Sequence, residues 1–374
     1  MNRFGAAAVR EARFIRGSRL MLLALLAMPL ASLLLMAAML SRGALDSLPV
    51  GVVDEAQTPA SRAVLQALAA QPELRIAQAY SARAAADAAL RDGRIWAYVA
   101  IPPAFGELAP RVDPAVVLVR YNAAYLSVGS VLERALLRAV DGASREVLQA
   151  AARAHGLQAW SLPQVQTSVL FNPQASFEWF LQALVQPAIL HLFAACLGVY
   201  ALLRELDGTS LAAWRQQTGG GTAALAGKAM PYLFMMALWG AAWLVWLVGL
   251  RGWRMPGSLW LAWLAQLALF AASLGISFLL VALTRKPGLS FSVTALYAGS
   301  ALAYSGGSLP LQGAPAVVRG WSEALPFTHY LRLQMDQFLG APLRHSVPAL
   351  LLLCALAVGA LLAAARWSRV ERAT

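Results

Sequence analysis

Charged side chains are scarce in this chain of 374 residues: Asp, Glu, Lys and Arg make up 13% of it, against ~25% in a typical soluble domain. Hydrophobic residues make up 59%, and the mean hydropathy is +0.60. A chain of this composition has too few polar groups to cover its apolar surface by folding on itself. The composition excludes an ordinary soluble protein and predicts a membrane protein.

The residues of common catalytic and metal sites are also sparse. Cys196 and Cys354 both fall in apolar runs and cannot form the disulfide framework of a secreted domain. The four histidines are scattered, and no H-E-x-x-H, G-x-S-x-G or metal-ligand spacing is present. These absences weigh against a membrane enzyme, and we expect no metal or cofactor in this chain.

The formal charge of +12 raises the question of a nucleic-acid partner. Residues 42–176 are nearly neutral, with 12 Arg and 11 acids. Segments predicted on one side of the membrane hold 13 Lys and Arg against four acids, and the short segments on the other side hold five Arg against two acids. This is the positive-inside pattern of a membrane protein, so we expect no nucleic-acid binding.

Six stretches have about the 20 apolar residues that a membrane-spanning helix needs. They are residues 20–40, 177–203, 230–250, 259–283, 289–305 and 347–365. The fifth is short and rich in Ser and Gly, which suits close helix packing better than lipid contact. The charge bias places both termini in the cytoplasm, and the preference for Arg over Lys indicates a GC-rich bacterium, hence its inner membrane.

The chain therefore divides into four predicted parts. Residues 1–19 carry five Arg and one Glu among apolar side chains, which predicts an amphipathic helix on the inner membrane surface. The first span follows at 20–41, an extracytoplasmic domain at 42–176, and the remaining transmembrane domain at 177–374. A cleaved signal peptide is the alternative for the N-terminus, but its apolar core would be only about 7–15 residues long.

Residues 42–176 alternate between strand-like and helix-like patterns in the order βαβαββα. "PVGVV", 74–80, 95–102 and 115–121 read as strands, and helices are expected from Thr58, from Ser81 and between Tyr125 and His155. The predicted fold class is thus an α-helical membrane protein with six transmembrane helices, an α/β extracytoplasmic domain and an N-terminal amphipathic helix.

Several motifs resemble one family of transporters. "LPVGVVDE" and "ALRDGRIWAYVAIPPAF" resemble the outer domain of ABC-2-type export permeases. "LRELDGTSLAAWR…GKAMPY" is similar to the cytoplasmic segment of that family, and "LPFTHYLRLQMDQFLG" to the stretch before its last span. The resemblance covers nearly the whole chain and implies a permease that works with a separate ATP-binding subunit.

A phosphate-binding loop of its own is not expected. Residues 222–229 superficially resemble G-x-x-x-x-G-K-[ST], but Thr222 replaces the first Gly and Ala229 replaces the Mg²⁺-binding hydroxyl. We therefore expect ATP to be bound by the partner subunit and not by this chain.

Asp54 follows the first predicted strand of the outer domain, where α/β enzymes often keep a catalytic carboxylate. Its neighbour Glu55 would point to the opposite face of an extended chain, and no other acid, His or Cys pattern lies nearby in sequence. We interpret Asp54 as a turn residue, with a ligand or catalytic role as the alternative.

Residues 204–228 are the predicted segment for coupling to the ATPase. Candidate contacts are Arg204, Glu205, Asp207, Leu211 and Trp214, of which Leu211 and Trp214 share one face of a short helix. The alternative is an ordinary loop on the membrane surface. Gly219, Gly220 and Gly221 depart from the family pattern, and the amphipathic N-terminus is a second candidate for the ATPase contact.

Candidates for the substrate pathway or gate are His191, Trp321, Phe327 and Tyr330. His191 lies midway along the second span, where a polar side chain usually faces protein or a water-filled cavity. It is either a pathway or proton-sensitive residue, or a histidine hydrogen-bonded in helix packing. The other three lie in 305–346, which the resemblance implies is re-entrant from the outer side; an external loop with an aromatic belt is the alternative.

The predicted function is export of a hydrophobic or amphipathic substrate, driven by ATP on the partner subunit. Expected partners are this ATPase, a second copy or sister permease, membrane lipid and a periplasmic membrane-fusion adaptor. The alternative is a membrane-anchored sensor or assembly protein whose outer domain binds a partner without transport.

Overall fold

The structure is a computed structural model that describes residues 3–40, 46–106, 116–122, 126–154, 176–206, 214, 216, 218–308 and 311–367. The chain forms two compact units. The helical unit combines Met1–Ser41 with Trp179–Thr374, and the sheet unit is Arg42–Glu178.

Helices dominate the described residues. In chain order they are α1 (Arg3–Gly17), α2 (Arg19–Met39), α3 (Pro59–Ala69), α4 (Arg83–Arg91), α5 (Leu126–Ala154), α6 (Phe177–Leu206), α7 (Gly221–Leu250), α8 (Leu259–Thr284), α9 (Pro287–Tyr304), α10 (Ala316–Ala324), α11 (Pro326–Leu339) and α12 (Leu343–Trp367). The strands are β1 (Leu48–Asp54), β2 (Leu74–Ala79), β3 (Ala97–Ile101) and β4 (Leu118–Tyr121).

The sheet unit has one four-stranded sheet in the order β2-β1-β3-β4. β1 runs parallel to β2 and β3, and β4 is antiparallel to β3. Because side chains alternate along a strand, β1 supplies Val50 and Val52 to a core with α3 and α5, and Val53 to a second core with α4. The observed order of elements confirms the predicted βαβαββα pattern.

Asp54 closes the turn between β1 and α3. One of its carboxylate oxygens accepts the N–H groups of Ala56 and Gln57 over 3.1 and 3.0 Å, and the other accepts the Ser61 hydroxyl over 2.8 Å. Ser61 and Thr58 form a capping box at the start of α3. The prediction that Asp54 is a turn residue is confirmed.

Asp87 links α4 to two strands. The Tyr98 hydroxyl donates to its carboxylate over 2.8 Å, and Arg120 donates to both carboxylate oxygens over 2.9 and 3.0 Å. The Tyr98 hydrogen bond, followed by the one from Arg120, lowers the pKa of Asp87 below its ordinary value of 3.8. The charged form of Asp87 therefore stabilises the fold.

Five helices of the helical unit are long and apolar enough to cross a membrane: α2, α6, α7, α8 and α12. The fifth predicted stretch forms α9, an 18-residue helix that is not among these five. Its Ser, Thr, Gly and Tyr residues lower the hydropathy, and Ser290 and Thr294 are buried among other helices. The count of six spans stays a prediction.

Helix α7 starts inside the predicted coupling segment. α7 begins at Gly221, nine residues before the predicted span, so residues 221–228 are helical. The chain enters α7 through Gly219, Gly220 and Gly221 with φ of +75°, +55° and +81°, a backbone that glycine adopts without strain. Gly227 and Lys228, the Gly-Lys of the stretch that resembles a phosphate-binding loop, therefore lie inside a helix.

α8 lies at the centre of the helical unit and packs against α7, α9, α11 and α12. The predicted re-entrant segment contains two short helices, α10 and α11. α11 is buried along most of its length, and the Gln334 side chain donates to the carbonyl of Ala183 in α6 over 2.6 Å. α11 is therefore part of the helix bundle, whereas α10 is largely exposed.

The turn at Asp54 gives a first prediction. Asp54→Ala removes three hydrogen bonds at the start of α3, and loss of a helix cap costs about 1–2 kcal/mol. We expect amide hydrogen exchange in the full-length protein to accelerate by about 5–30-fold in peptides covering the start of α3. The matched control is Asp92→Ala, because Asp92 forms an ion pair with Arg94 in which both side chains are exposed. Equal exchange in both variants would contradict the role of Asp54.

The Asp87 cluster gives a prediction for pH. A carboxylate with a lowered folded-state pKa contributes stability above its unfolded pKa and loses it as the pH falls through the folded value. Asp87→Asn should therefore be cleaved by pepsin faster than the wild type within residues 83–121 at pH 5. The two rates should converge as the pH falls well below the ordinary pKa of 3.8. A constant ratio from pH 5 to pH 2 would show that Asp87 is not the titrating group.

Candidate functional site

The amphipathic helix α1 packs against the start of α7. At Gly227 the two backbones come so close that an added Cβ would lie 2.2 Å from the carbonyl oxygen of Phe4. Only glycine allows this approach without displacing one helix. The lysine that follows, Lys228, is carried by the same turn of α7 to the side chains of α1.

Glu11 of α1 is buried at this contact, with 1% of its surface exposed. Its carboxylate accepts hydrogen bonds from Lys228 over 2.6 Å, from Arg204 over 2.7 Å and from the hydroxyl of Tyr232 over 2.6 Å. Lys228 and Tyr232 belong to α7, and Arg204 belongs to the last turn of α6. One carboxylate thus joins three helices.

Glu205 is the second carboxylate of the same group. It accepts from Lys228 over 2.7 Å and from Arg204 over 3.1 Å, and it also pairs with Arg10 of α1. The guanidinium of Arg204 lies over the ring of Phe14 as a cation–π contact. We call Glu11, Arg204, Glu205, Lys228 and Tyr232 the Glu11 cluster.

In the Glu11 cluster each buried charge lies within hydrogen-bond distance of opposite charges. Removing a charge from water costs several kcal/mol, and the cost is offset only where opposite charges and further hydrogen bonds surround it. Glu11 and Lys228 meet that condition, since each contacts more than one partner. The same dependence makes the cluster sensitive to loss of a single member.

The predicted coupling residues fall into three groups. Arg204 and Glu205 belong to the Glu11 cluster. Trp214 is 2% exposed and lines a crevice together with Glu11 and Lys228, so its side chain faces inward. Asp207 and Leu211 lie outside the described residues.

Sequence reasoning did not single out Glu11, Lys228 or Tyr232. Two signals were present: Glu11 is the one acid among five Arg in residues 1–19, and Lys228 is one of two lysines in the chain. A lone acid on an otherwise basic amphipathic helix suggests a specific buried partner.

A second group of polar and aromatic residues surrounds His191. The ring of His191 stacks on Phe327 with centroids 5.8 Å apart and meets Tyr297 edge-on at 5.6 Å. Tyr330 packs beside Phe327 at 5.8 Å and accepts a hydrogen bond from Gln266 over 3.2 Å. We call His191, Ser273, Tyr297, Phe327 and Tyr330 the His191 cluster.

Ser273 holds the ring of His191 in place. Its hydroxyl lies 2.7 Å from the carbonyl of Leu269 and 2.6 Å from His191 Nδ1, and the tautomer of the ring decides whether Nδ1 donates to the hydroxyl or accepts from it. Within the part of the chain that the structure describes, Nε2 is buried and has no hydrogen-bond partner, and the same holds for the Tyr297 hydroxyl.

The structure brings three of the four predicted gate residues together: His191, Phe327 and Tyr330 are all fully buried. Trp321 lies apart on α10, is 38% exposed, and donates to Ser300 of α9 over 3.4 Å. Sequence reasoning missed Tyr297, Gln266 and Ser273. The spacing of Gln266, Ser273 and Ser277 places them on one face of α8 and was the available signal.

In the described ranges, no group of three or more His, Cys, Asp or Glu residues is arranged to hold an ion. The long apolar helices instead define a multi-pass membrane protein.

Comparison with known proteins agrees with this class. The model of the family described as ABC-2 family transporter protein matches residues 19–366. The chain therefore belongs to the ABC-2 transporter family, whose members are membrane permease components of ABC transporters, and membership implies an ATP-binding subunit as partner. No curated protein and no solved structure matches the chain.

The Glu11 cluster gives a third prediction. Glu11→Gln leaves Lys228 and Arg204 with one carboxylate fewer in a buried site, and breaking a buried pair costs about 3–5 kcal/mol. We expect a large fall in the thermal unfolding temperature of the purified full-length protein in mild detergent. The matched control is Glu323→Gln, since Glu323 and Arg332 form an ion pair with both side chains about half exposed. Such pairs contribute at most about 1 kcal/mol.

The double variant Glu11→Gln with Lys228→Met separates charge pairing from packing. Because it removes a buried cation together with a buried anion, it should recover part of the lost stability. A fall in Glu11→Gln no larger than in Glu323→Gln, or a double variant less stable than the sum of its single changes, would contradict the assignment.

Proposed function

We propose that this protein is the membrane subunit of an ATP-driven exporter that moves a hydrophobic or amphipathic substrate out of the cytoplasm or the inner membrane. Membership in the ABC-2 family supports the permease role. The observation that carries the mechanism is the Glu11 cluster, because it ties α1 to the ends of α6 and α7 through buried charges.

The Glu11 cluster suggests how an ATPase acts on the spans. An ATPase that docks on the cytoplasmic surface would contact α1 and the segment between α6 and α7. Because Glu11 links these elements directly, displacement of α1 would move both spans together instead of bending a loop. The buried side chain of Trp214 would support the segment between α6 and α7. Asp207 and Leu211 stay candidates for direct contact with the ATPase.

The His191 cluster is the proposed pathway or gate. The buried ring nitrogen Nε2 of His191 and the buried Tyr297 hydroxyl, both without hydrogen-bond partners in the described residues, suit a passing polar group or water. Phe327 and Tyr330 of α11 close the apolar side of this site. Trp321, near the surface on α10, is proposed as an outer gate residue.

The sheet unit is the proposed extracytoplasmic domain. Its folded core supports a role in binding other proteins, and a periplasmic adaptor is the proposed partner. The complete transporter would contain two copies of this chain, or this chain with a sister permease. Both termini would lie in the cytoplasm of a bacterial cell.

Copurification tests the proposal. The tagged full-length protein, extracted in mild detergent, should recover a soluble P-loop ATPase that mass spectrometry identifies. Gly227→Ala should recover severalfold less of it, because the added Cβ displaces α1 from α7. The matched control is Gly359→Ala, which adds the same methyl group where no atom lies within 4 Å.

The outcomes separate the two functions considered. Failure to recover an ATPase with the wild type under several extraction conditions would contradict the exporter and favour the sensor or assembly protein. Equal recovery with Gly227→Ala, at equal yield of folded protein, would keep the transporter but contradict docking through α1.

A further inference from the structure

A groove in the helical unit belongs to neither cluster. It has a volume of about 310 Å³ and lies between α1, α2 and α7. Its lining comprises Ala12, Ile15 and Arg16 of α1, Leu22, Leu25 and Leu26 of α2, and Pro231, Phe234 and Met235 of α7. Except for Arg16, every lining side chain is apolar.

α2 is irregular where it lines the groove. A π-helical turn at Leu23–Ala27 supplies Leu25 and Leu26 to the lining, and such turns are often found at functional sites. Pro29 has no N–H to donate to the carbonyl of Leu25, and the indole of Trp239 in α7 donates to that carbonyl over 2.8 Å. This bond holds α2 on α7 at one end of the groove.

The walls of the groove are open to the surroundings of the protein. Leu22, Leu26 and Phe234 are 37%, 45% and 58% exposed. In a helix long and apolar enough to span a membrane, such side chains face lipid. An apolar groove in this position is a site for a hydrocarbon chain.

The charge at the rim of the groove is positive. Arg16 lines it and is exposed, and Arg13 and Arg19 beside it along the chain are exposed as well. Arg10, by contrast, is paired with Glu205. An apolar slot with a guanidinium at its mouth complements an amphiphile with a hydrocarbon tail and an anionic phosphate headgroup.

We propose that this groove binds one anionic phospholipid of the membrane, with an acyl chain between α1, α2 and α7 and its phosphate on Arg16. The lipid would fill the space beside the amphipathic helix and add to the contacts by which the Glu11 cluster holds α1 against the bundle. The proposal concerns binding alone and does not depend on export.

Native mass spectrometry of the full-length protein in detergent tests it with three probes: dioleoyl phosphatidylglycerol, dioleoyl phosphatidylcholine and glycerol phosphate. One phosphatidylglycerol should bind, and Arg16→Gln should weaken this binding about fivefold, the effect of losing one cation near a membrane surface. Arg13→Gln is the matched control on the same helix. Leu26→Trp should fill the groove and reduce binding, whereas Leu23→Trp, an exposed change outside the lining, should not.

Several results would overturn the proposal. Equal affinity for phosphatidylcholine would show that charge plays no part, and equal losses in Arg16→Gln and Arg13→Gln would show diffuse attraction to a basic helix. Displacement by glycerol phosphate alone would indicate an anion site without an acyl groove. Absence of lipid binding together with a change of oligomeric mass in Leu26→Trp would assign the groove to a second copy of the chain.

Discussion

The buried carboxylate of Glu11 is the constraint on which the arrangement of the helical unit depends. An isolated anion in this position would be unstable, so the fold must bring Lys228, Arg204 and Tyr232 to it at the same time. Each partner comes from a different turn or a different helix. The contact fixes the position of α1 along α7, where the close approach at Gly227 leaves no freedom for sliding. An amphipathic helix that would otherwise float on the membrane surface becomes a rigid part of the bundle.

The two clusters differ in how completely their polar groups are satisfied, and this difference matches the roles proposed for them. Glu11 has three donors at 2.6–2.7 Å, so the cluster has one favoured geometry, as the proposed coupling element requires. His191 has one partner, Ser273, and a second ring nitrogen with none among the described residues. A half-satisfied polar group in an apolar bundle costs free energy unless something else completes it. This asymmetry agrees with the proposal that the Glu11 cluster couples helices and that the His191 cluster exchanges hydrogen-bond partners.

Local patterns predicted the secondary structure of the sheet unit well, because alternation of apolar residues and turn residues such as Asp54 are properties of short segments. The sequence predicted the long apolar helices equally well. In α9, however, buried Ser and Thr make it difficult to distinguish a membrane span from a helix packed inside the protein. The residues of the two clusters were predicted less well from the sequence. Arg204 and Glu205 were found through a motif, but Glu11, the partner of Arg204, lies 193 residues away and only the fold brings it close. Trp214 was expected on an exposed face. Helical spacing shows which residues share a face, but it does not show whether that face points to solvent or to the protein interior.

The contrast between Glu11 and the exposed arginines of α1 explains why one helix can serve two surfaces. Arg10 pairs with Glu205, whereas Arg16, six residues later, lines the groove beside α2. A helix that repeats every ~3.6 residues presents both sides at once. Pairing with Glu205 neutralises one side within the protein, and the other side keeps its positive charge for the membrane surface. The amphipathic helix is therefore held by ionic contacts on one flank and, in the arrangement proposed above, by lipid on the other, so a force applied to α1 acts on an element supported from both directions.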